Sequence, residues 1–259
     1  DDIINKPQER PMSKEFVKKT NLNGNIEFRN VSFRYPNSES YALRNVSFTI
    51  KEGEKVAFIG RIGSGKSTNA KLILKLYEPE EGTILIDGID IAQIDPADLR
   101  KGISYVPQDI HLFGGTIKQN ILGIHKFIDD EWMLECSKIS GTDEFVRMHP
   151  AGYDMPLGER GAGLSGGQRQ SVGIARALIN NSDIWMFDEP TNAMDQTSES
   201  IVLNNLMTKV EGKTLLLVTQ KMSMVDLVDR IIVMNFGTKV LDGPKDEIIN
   251  KLGNSGEKQ

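Results

Sequence analysis

The chain has 259 residues, of which 39% are hydrophobic and 26% charged, which is enough for one large α/β domain with an added lobe or for two small domains. Its formal net charge of −5 gives no broad electrostatic reason to bind nucleic acid or an anionic membrane surface. A single cysteine, Cys136, excludes an intrachain disulfide, and no apolar run reaches the roughly 18–20 residues that a membrane-spanning helix needs.

Residues 1–21 are predicted to form a linker. They are polar, include Pro7 and Pro11, and show no clear hydrophobic periodicity. The beginning of the chain lacks both an initiator Met and the basic-then-apolar pattern of a signal peptide. We therefore expect a fragment of a longer protein, in which membrane contact comes from a missing segment or a partner and not from bilayer insertion by this segment.

An ordered domain is predicted over residues 22–250. Residues 26–33 and 46–50 alternate apolar and polar side chains, as half-buried antiparallel strands do. The apolar run Lys55–Ile59 then leads into a glycine-rich loop, and helical spacing follows the loop. Four later runs are predicted to be buried parallel strands: Ile103–Val106, Ile184–Phe187, Thr214–Val218 and Arg230–Met234. With helical segments between them, they predict an α/β fold with a parallel-sheet core and an antiparallel β subdomain.

Residues 111–162 break this alternation, because they carry helical patterns with no clear strand between them. We expect an inserted α-helical subdomain of about residues 111–165. The last residues, 251–259, are mostly polar and are predicted to form a flexible tail.

The glycine-rich loop matches the complete phosphate-loop pattern G-x-x-x-x-G-K-[ST]. Its glycines let backbone N–H groups turn toward phosphate oxygens, and the following helix adds the positive end of its dipole. Lys66 is expected to reach the β- and γ-phosphates, Ser67 to ligate Mg²⁺, and Thr68 to donate a phosphate hydrogen bond. The alternative, a chance glycine turn, is disfavoured by the strand before the loop and the helix after it. The predicted nucleotide-binding residues here are Gly60, Arg61, Ile62, Gly63, Ser64, Gly65, Lys66, Ser67 and Thr68.

Two carboxylates, Asp188 and Glu189, follow the apolar run Ile184–Phe187. Asp188 is placed to hold Mg²⁺ through water, and Glu189 to polarise the attacking water as a general base. Adjacent acidic residues at a strand end could instead be solvated side chains only. Their position after four apolar residues, in a chain with a phosphate loop, favours the functional interpretation.

The segment Leu164-Ser165-Gly166-Gly167-Gln168, in the same chain as the phosphate loop, resembles the signature of the ATP-binding cassette (ABC) family. Ser165 precedes a helical run, so a role as N-cap is a sufficient structural reason for it, but its hydroxyl and the glycine N–H groups also suit an anion. The resemblance implies a P-loop NTPase (RecA-like) core, ATP and Mg²⁺ as cofactors, and a signature that closes over the nucleotide of a second nucleotide-binding domain. Asp195 matches the aspartate that crosses this interface, although Asn192 and Met194 depart from the usual residues.

Two further positions acquire roles from the resemblance. Tyr35, just past the first strand, matches an adenine-stacking aromatic, with a packing role as the alternative. Gln108, after the run Ile103–Val106, matches a glutamine that contacts Mg²⁺ or the attacking water and moves with the helical lobe. The alternative for Gln108 is an exposed loop residue without a role.

One departure from the family concerns Gln220. After the run Thr214–Val218 the family places a histidine that contacts the γ-phosphate, whereas His111, His125 and His149 of this chain lie elsewhere. Glutamine can donate a hydrogen bond but cannot act as an acid or base by taking up and releasing a proton. We therefore expect hydrolysis to be slower than with histidine, on the order of 10²–10³-fold, while ATP binding survives. A naturally slow site, a substitution made to trap ATP, and a site that is active with glutamine in the histidine's place all stay open.

The stretch Gly158-Glu159-Arg160-Gly161 resembles an exporter-type loop that faces a membrane domain, and residues 145–154 and 188–195 are most similar to cassettes of bacterial type I secretion systems. The resemblance implies an ATPase, with Glu189, Gln220 and Lys66 as catalytic residues, that dimerises head-to-tail around ATP–Mg²⁺. It implies a transmembrane partner domain, the cytoplasmic face of the inner membrane, and export of a protein or peptide. Two other classes stay open: a regulatory cassette that binds ATP with little turnover, and a soluble ABC ATPase outside transport.

Overall fold

A computed structural model describes residues 9–11, 13–125 and 128–256 of the chain. The strands are β1 (Ile26–Phe33), β2 (Leu43–Ile50), β3 (Lys55–Ile59), β4 (Glu81–Ile86), β5 (Ile89–Asp90), β6 (Ile103–Val106), β7 (Gly115–Thr116), β8 (Pro156–Leu157), β9 (Ile184–Asp188), β10 (Thr214–Val218), β11 (Arg230–Asn235) and β12 (Thr238–Pro244). The α-helices are α1 (Lys66–Ile73), α2 (Pro96–Lys101), α3 (Ile117–Leu122), α4 (Asp130–Ile139), α5 (Thr142–Val146), α6 (Gly166–Ile179), α7 (Gln196–Met207) and α8 (Lys245–Gly256). Short 3₁₀ turns lie at Gly152–Asp154, Glu159–Gly161 and Met222–Leu227.

The larger sheet has the strand order β12-β11-β3-β10-β9-β6. Five strands run parallel, and β12 pairs antiparallel with β11 at one edge. Every residue of β9 and β10 is buried, and successive residues face alternately two hydrophobic cores, one on each side of the sheet. Burial on both faces explains why these strands are continuous apolar runs. The predicted parallel core is confirmed, and the carboxyl ends of β3, β9 and β10 meet at one edge.

The smaller sheet, β2-β1-β4-β5, is antiparallel throughout. Phe28 of β1 stacks on Phe48 of β2 with ring centroids 4.4 Å apart, and Phe48 meets Phe58 of β3 at 5.3 Å. These aromatic contacts hold the smaller sheet against one face of the larger one. The predicted antiparallel subdomain is confirmed, and it also contains β4 and β5, which the sequence pattern did not indicate.

The inserted lobe consists of α3, α4 and α5, which lie around α6. Met133 and Cys136 of α4 and Val146 of α5 share one buried core with Val172 of α6. Burial raises the pKa of the Cys136 thiol to about 12, so this cysteine packs as an apolar side chain. The expectation that no strand interrupts the lobe was wrong, because β7 and β8 pair antiparallel there. Two residues per strand are too few for an alternating pattern to appear in the sequence.

The described part of the predicted linker, residues 9–11 and 13–21, lies against the folded domain. Arg10 pairs with Asp95 at 2.6 Å, and the Val17 N–H donates to the Gln93 carbonyl at 2.8 Å. Residues 1–8 and 12 fall outside the described part of the chain, and the connection to a membrane domain stays a prediction. Among the described helices, none is both long enough and apolar enough to cross a bilayer.

At the other end of the chain, α8 continues to Gly256. Ile248 of this helix is buried, and the helix packs against β12 and β11. The helix thus extends into the segment predicted to be a flexible tail from residue 251, where Leu252 is exposed. Residues 257–259 lie outside the described part.

Candidate functional site

The phosphate loop, residues 60–65, connects β3 to α1. Gly60 and Gly65 adopt φ angles of 148° and 96°, which favour glycine. A Cβ atom at Gly60 would lie 2.2 Å from the Met234 carbonyl oxygen, and one at Gly65 would lie 2.5 Å from that of Ala42. Neither position can carry a side chain without moving the backbone, so β11 and the segment before β2 define the shape of the loop.

The interior of the loop fits an oxyanion. Lys66 Nζ donates to the carbonyl oxygens of Gly60 at 2.8 Å and Arg61 at 3.0 Å. Burial lowers the pKa of Lys66, and the charges of Glu189 and Asp188 act against that shift. Ser64 Oγ is one of two buried side-chain atoms without a hydrogen-bond partner among the described residues. A buried cation beside an unpartnered hydroxyl provides what phosphate oxygens require.

Asp188, at the end of β9, accepts a hydrogen bond from Ser67 Oγ at 2.9 Å. Burial raises the pKa of Asp188, and the Glu189 charge adds to this rise, while the hydrogen bond from Ser67 opposes it. A hydroxyl oxygen next to a buried carboxylate is a pair of oxygen ligands that suits Mg²⁺. The other coordination positions of Mg²⁺ are usually filled by phosphate oxygens and water. In the described ranges, no group of three or more His, Cys, Asp and Glu residues could hold a metal by itself.

Glu189 has a left-handed backbone, with φ 49°. Its N–H donates to the Val218 carbonyl at 2.8 Å, and its carbonyl accepts from Gln170 Nε2 at 3.3 Å. Gln220 Nε2 donates to Glu189 Oε1 at 3.2 Å. The structure thus brings Gln220 to the predicted general base, on a backbone of the strained kind that is common at functional sites.

Tyr35 is placed at the mouth of the phosphate loop. Its hydroxyl lies 3.1 Å from Thr68 Oγ1, and its ring packs edge-on against Phe33 and Tyr77, at 5.0 and 5.2 Å between centroids. A cavity of 340 Å³ is lined by Tyr35, by the loop from Gly63 to Thr68, and by Ser38, Ser40, Tyr41 and Ala42. These contacts show the packing role of Tyr35, and the adenine-stacking role stays a prediction.

Two residues of the site were missed at the sequence level. Tyr41 lines the same cavity, and the guanidinium groups of Arg34 and Arg44 lie over its ring, 5.0 and 5.2 Å from its centroid. Gln170 is buried in α6, where its Oε1 accepts the Ala193 N–H at 2.7 Å. An aromatic residue shortly before a strand was the available signal for Tyr41, whereas nothing local distinguishes Gln170 from a solvent-facing glutamine on a helix.

Within the described part of the chain, Gln108 makes no hydrogen bond to the phosphate-loop residues or to the two carboxylates. It follows β6, which lies next to β9, and it is exposed. No hydrogen bond joins Gln108 to Ser67 or Asp188, all of which lie in the described ranges. Its contact with Mg²⁺ or water stays a prediction.

The signature segment begins α6. Ser165 Oγ accepts the Gln168 N–H at 3.1 Å, and Gln168 Oε1 accepts the Ser165 N–H at 2.9 Å, which confirms the predicted N-cap as a capping box. Gly166 and Gly167 form the first turn, and Leu164 is buried. A second cavity, of 410 Å³, is bordered by Ser165, Gly166, Gly167, Gln168 and Asp195 and shares no lining residue with the cavity at the phosphate loop.

Asp195 is the N-cap of α7. Its Oδ1 accepts the Thr197 and Ser198 N–H groups, both at 3.0 Å. Hydrogen bonds from Ser198 and Thr197 lower the pKa of its carboxyl. Two helix N-termini therefore border the second cavity, one from the signature and one from the segment after Glu189.

Comparison with known proteins gives a consistent result. A family model described as ABC transporter matches residues 43–192. The chain is 41% identical over 250 residues to the alpha-hemolysin translocation ATP-binding protein HlyB of Escherichia coli O6:H1, with 96% of this chain and 35% of that protein covered. It is 41% identical over 253 residues to the exotoxin translocation ATP-binding protein PaxB of Pasteurella aerogenes, with 97% of this chain and 35% of that protein covered.

A solved structure of a bacterial Atm1-family ABC exporter with ATP bound matches with a TM-score of 0.85 and 33% identity, covering 92% of this chain and 43% of that chain. The chain spans about a third of the length of the curated relatives, 35% in each case.

Proposed function

The chain belongs to the ABC transporter family, and on that basis we propose that it is the ATP-hydrolysing domain of an exporter. One observation carries the proposal: Asp188 and Glu189 lie at the phosphate loop, whereas the signature borders a separate cavity of the same chain. A cassette with this arrangement has all groups for binding ATP but lacks, within one copy, the anion site that would cover the γ-phosphate.

In the proposed reaction, the phosphates bind the N–H groups of the loop, and Lys66 exchanges its contacts with the carbonyls of Gly60 and Arg61 for phosphate oxygens. Ser67 and Asp188 would hold Mg²⁺, which would neutralise part of the charge on the phosphates. Glu189 orients the attacking water and accepts its proton, while Gln220 holds the Glu189 carboxylate in position.

The proposal includes a head-to-tail pair of cassettes. The N-terminus of α6, with Ser165 and the two glycine N–H groups, would face the γ-phosphate held by a second cassette, of this chain or of a homologous one. Asp195 would lie at the same interface. Binding energy from ATP then brings two cassettes together, and hydrolysis releases them, which is the mechanical step of a transporter.

Export of a protein by a type I secretion system is the finer part of the proposal. Its support is the similarity to proteins that are named for translocation of alpha-hemolysin and exotoxin and, at 40% identity, for leukotoxin export (LtxB of Aggregatibacter actinomycetemcomitans). These relatives extend well beyond the matched region, so a transmembrane domain and a position at the cytoplasmic face of the inner membrane are proposed with it. Gly158–Gly161, a turn with Arg160 at φ 56°, is the loop that would face that domain.

A second candidate is a regulatory cassette that binds ATP with little turnover. The observation in its favour is Gln220, because its side chain is uncharged. A protonated histidine at this position would add a positive charge to its hydrogen bond. The retained hydrogen bond between Gln220 and Glu189 favours an active site instead.

Phosphate release by the wild-type protein, Lys66→Ala and Glu189→Gln tests the proposal, with ATP affinity measured in parallel. We expect turnover by the wild type, weakened ATP binding by Lys66→Ala, and a loss of turnover on the order of 10²–10³-fold in Glu189→Gln with ATP affinity retained. Glu135→Gln is the matched control, because Glu135 pairs with Lys209 at 2.9 Å on the lobe, away from the phosphate loop. ATP binding without turnover in the wild type would establish the regulatory cassette.

A further inference from the structure

A partly buried ion pair involves Lys221, the residue next to Gln220. Glu199 of α7 is 8% exposed, and its carboxylate accepts hydrogen bonds from Lys221 Nζ and Ser223 Oγ. Lys221 and Ser223 belong to the segment that follows β10, directly after Gln220. We name Glu199, Lys221 and Ser223 the Glu199 cluster. Neither the phosphate loop nor the signature contributes a residue to it.

Lys221 connects the two loops that carry the proposed catalytic pair. Its Nζ also donates to the Thr191 carbonyl at 2.8 Å, in the turn just after Glu189. Its backbone N–H donates to Thr219 Oγ1 at 3.0 Å. A single ammonium group therefore joins the loop after β9, the loop after β10 and α7, with Gln220 next to it in sequence.

The charge balance of the cluster favours a fixed geometry. Burial alone would raise the pKa of Glu199, but hydrogen bonds from Lys221 and Ser223 outweigh burial and lower it. Two hydrogen bonds, one to each oxygen, fix the orientation of the ionised carboxylate. An ion pair removed from water contributes little net stability. The Glu199 cluster is therefore better explained by the geometry it fixes than by the stability it adds.

Resting on the function proposed above, we propose that Glu199 is a positioning residue for ATP hydrolysis. By holding Lys221, it fixes the backbone on which Gln220 reaches Glu189 Oε1. The Gln220 amide makes a single hydrogen bond to that carboxylate, at 3.2 Å. Such a contact does not position its own loop, so the placement of Gln220 depends on the neighbouring ion pair.

Steady-state kinetics of Glu199→Gln test this inference. We expect kcat to fall on the order of 10- to 100-fold, because displacement of a positioned group by about 1 Å can cost this much, while KM and ATP affinity stay unchanged. Lys221→Arg, which keeps the charge and the reach toward Glu199 and Thr191, should retain most of kcat, and Lys221→Met should lose it. Glu135→Gln, at an ion pair of the lobe, should behave as wild type.

A double variant distinguishes positioning from general destabilisation. In a Gln220→Ala background, Glu199→Gln should cause no further loss of kcat, because its effect passes through Gln220. Losses that multiply, an unchanged kcat in Glu199→Gln, or a parallel loss of ATP affinity would each overturn the inference. Turnover by the wild type with an unaffected Glu199→Gln variant contradicts this inference alone. A wild type that binds ATP without turnover contradicts the proposed function, and this inference with it.

Discussion

Gln220 donates one hydrogen bond to Glu189 and has no proton to give to a phosphate. A protonated histidine in its place could donate one ring N–H to the same carboxylate and the other to the γ-phosphate. We expect Gln220→His to raise kcat by about tenfold or more, since a positioned acid–base group is worth on the order of 10²–10³ in rate. Phosphate release checks this, with ATP affinity as the control. If the variant is no faster, glutamine already performs the role of the histidine.

Asp87 illustrates how a single carboxylate organises the entry to β1. Its two oxygens accept the N–H groups of Asn23 at 2.8 Å and of Gly24 and Asn25 at 3.1 Å, and Lys19 pairs with it at 3.2 Å. Burial alone would raise the pKa of Asp87, but these hydrogen bonds and Lys19 lower it below 3.8. We expect Asp87→Asn to lose about 1–3 kcal/mol of unfolding free energy at pH 7, because one acceptor oxygen becomes a donor.

The pH dependence of that loss has a definite sign. A carboxyl group whose pKa is lowered by folding contributes stability that is fully present above the unfolded pKa and is lost as the pH falls through the folded pKa. The gap between wild type and Asp87→Asn in urea unfolding should therefore stay constant from pH 7 to about 4 and close only below the unfolded pKa of 3.8. Asp229→Asn is the matched control, because Asp229 is 72% exposed and pairs only with Lys55 in the described structure. A gap that closes between pH 7 and 5 would contradict the assignment.

The residues of the site were predictable from sequence to different degrees. The groups from Gly60 to Ser67 are contiguous, so their pattern specifies the chemistry before any fold is known. Glu189 and Gln220 could be placed because each follows a strand recognisable by its continuous apolar residues. Gln170, Lys221 and Glu199 could not, because their contacts depend on how α6, α7 and the loop after β10 pack together. Their local sequence is that of ordinary surface residues.

At the scale of elements, α6 joins the lobe to the core and passes close to the segment after Gln108. A Cβ atom at Gly173 would lie 2.5 Å from Ile110 Cδ1, so the bare backbone of α6 is what lets Ile110 pack there. Because Gln108 and Ile110 are two residues apart, α6 and the Gln108 segment are in contact through this glycine.

Gly173→Ala should destabilise the protein even though alanine favours helices. Overpacking costs about 1–3 kcal/mol, whereas the gain in helix propensity is at most about 1 kcal/mol. Gly253→Ala in α8 is the matched control, because nothing lies within 4 Å of the Cβ position there, and it should be neutral or slightly stabilising. Thermal unfolding of the two variants provides the comparison, and equal shifts would show that Ile110 moves away without cost.

Elements were predicted well where burial is uniform and poorly where they are short. β9 and β10 are entirely buried and appear as apolar runs, whereas β5, β7 and β8 have two residues each and no pattern. The segment before β1 was predicted as a linker because it is polar, yet Val17 and Arg10 attach it to the region around Asp95. Because this segment is attached by backbone hydrogen bonds and ion pairs, its sequence shows no periodic pattern of apolar residues.

At the scale of the whole molecule, the separation of the two cavities is the feature that most restricts the mechanism. The signature at Ser165 and the phosphate loop at Lys66 border different cavities of one chain. A second copy related by a two-fold axis would complete both sites at once, since each copy supplies the group that the other lacks. We therefore propose that hydrolysis takes place between two cassettes.

A mixture of two inactive variants tests whether the active site forms between two chains. Lys66→Ala disables the phosphate loop and leaves the signature intact. Ser165→Asp keeps an N-cap for α6 but places a carboxylate where phosphate is expected, and leaves the phosphate loop intact. Each variant alone should be inactive under conditions in which the wild type releases phosphate. An equimolar mixture should recover about a quarter of wild-type activity, because half of randomly formed dimers are mixed and each has one complete site of two. A mixture no more active than the sum of its components would mean that the two variants do not complete each other's sites, and would contradict hydrolysis between two cassettes.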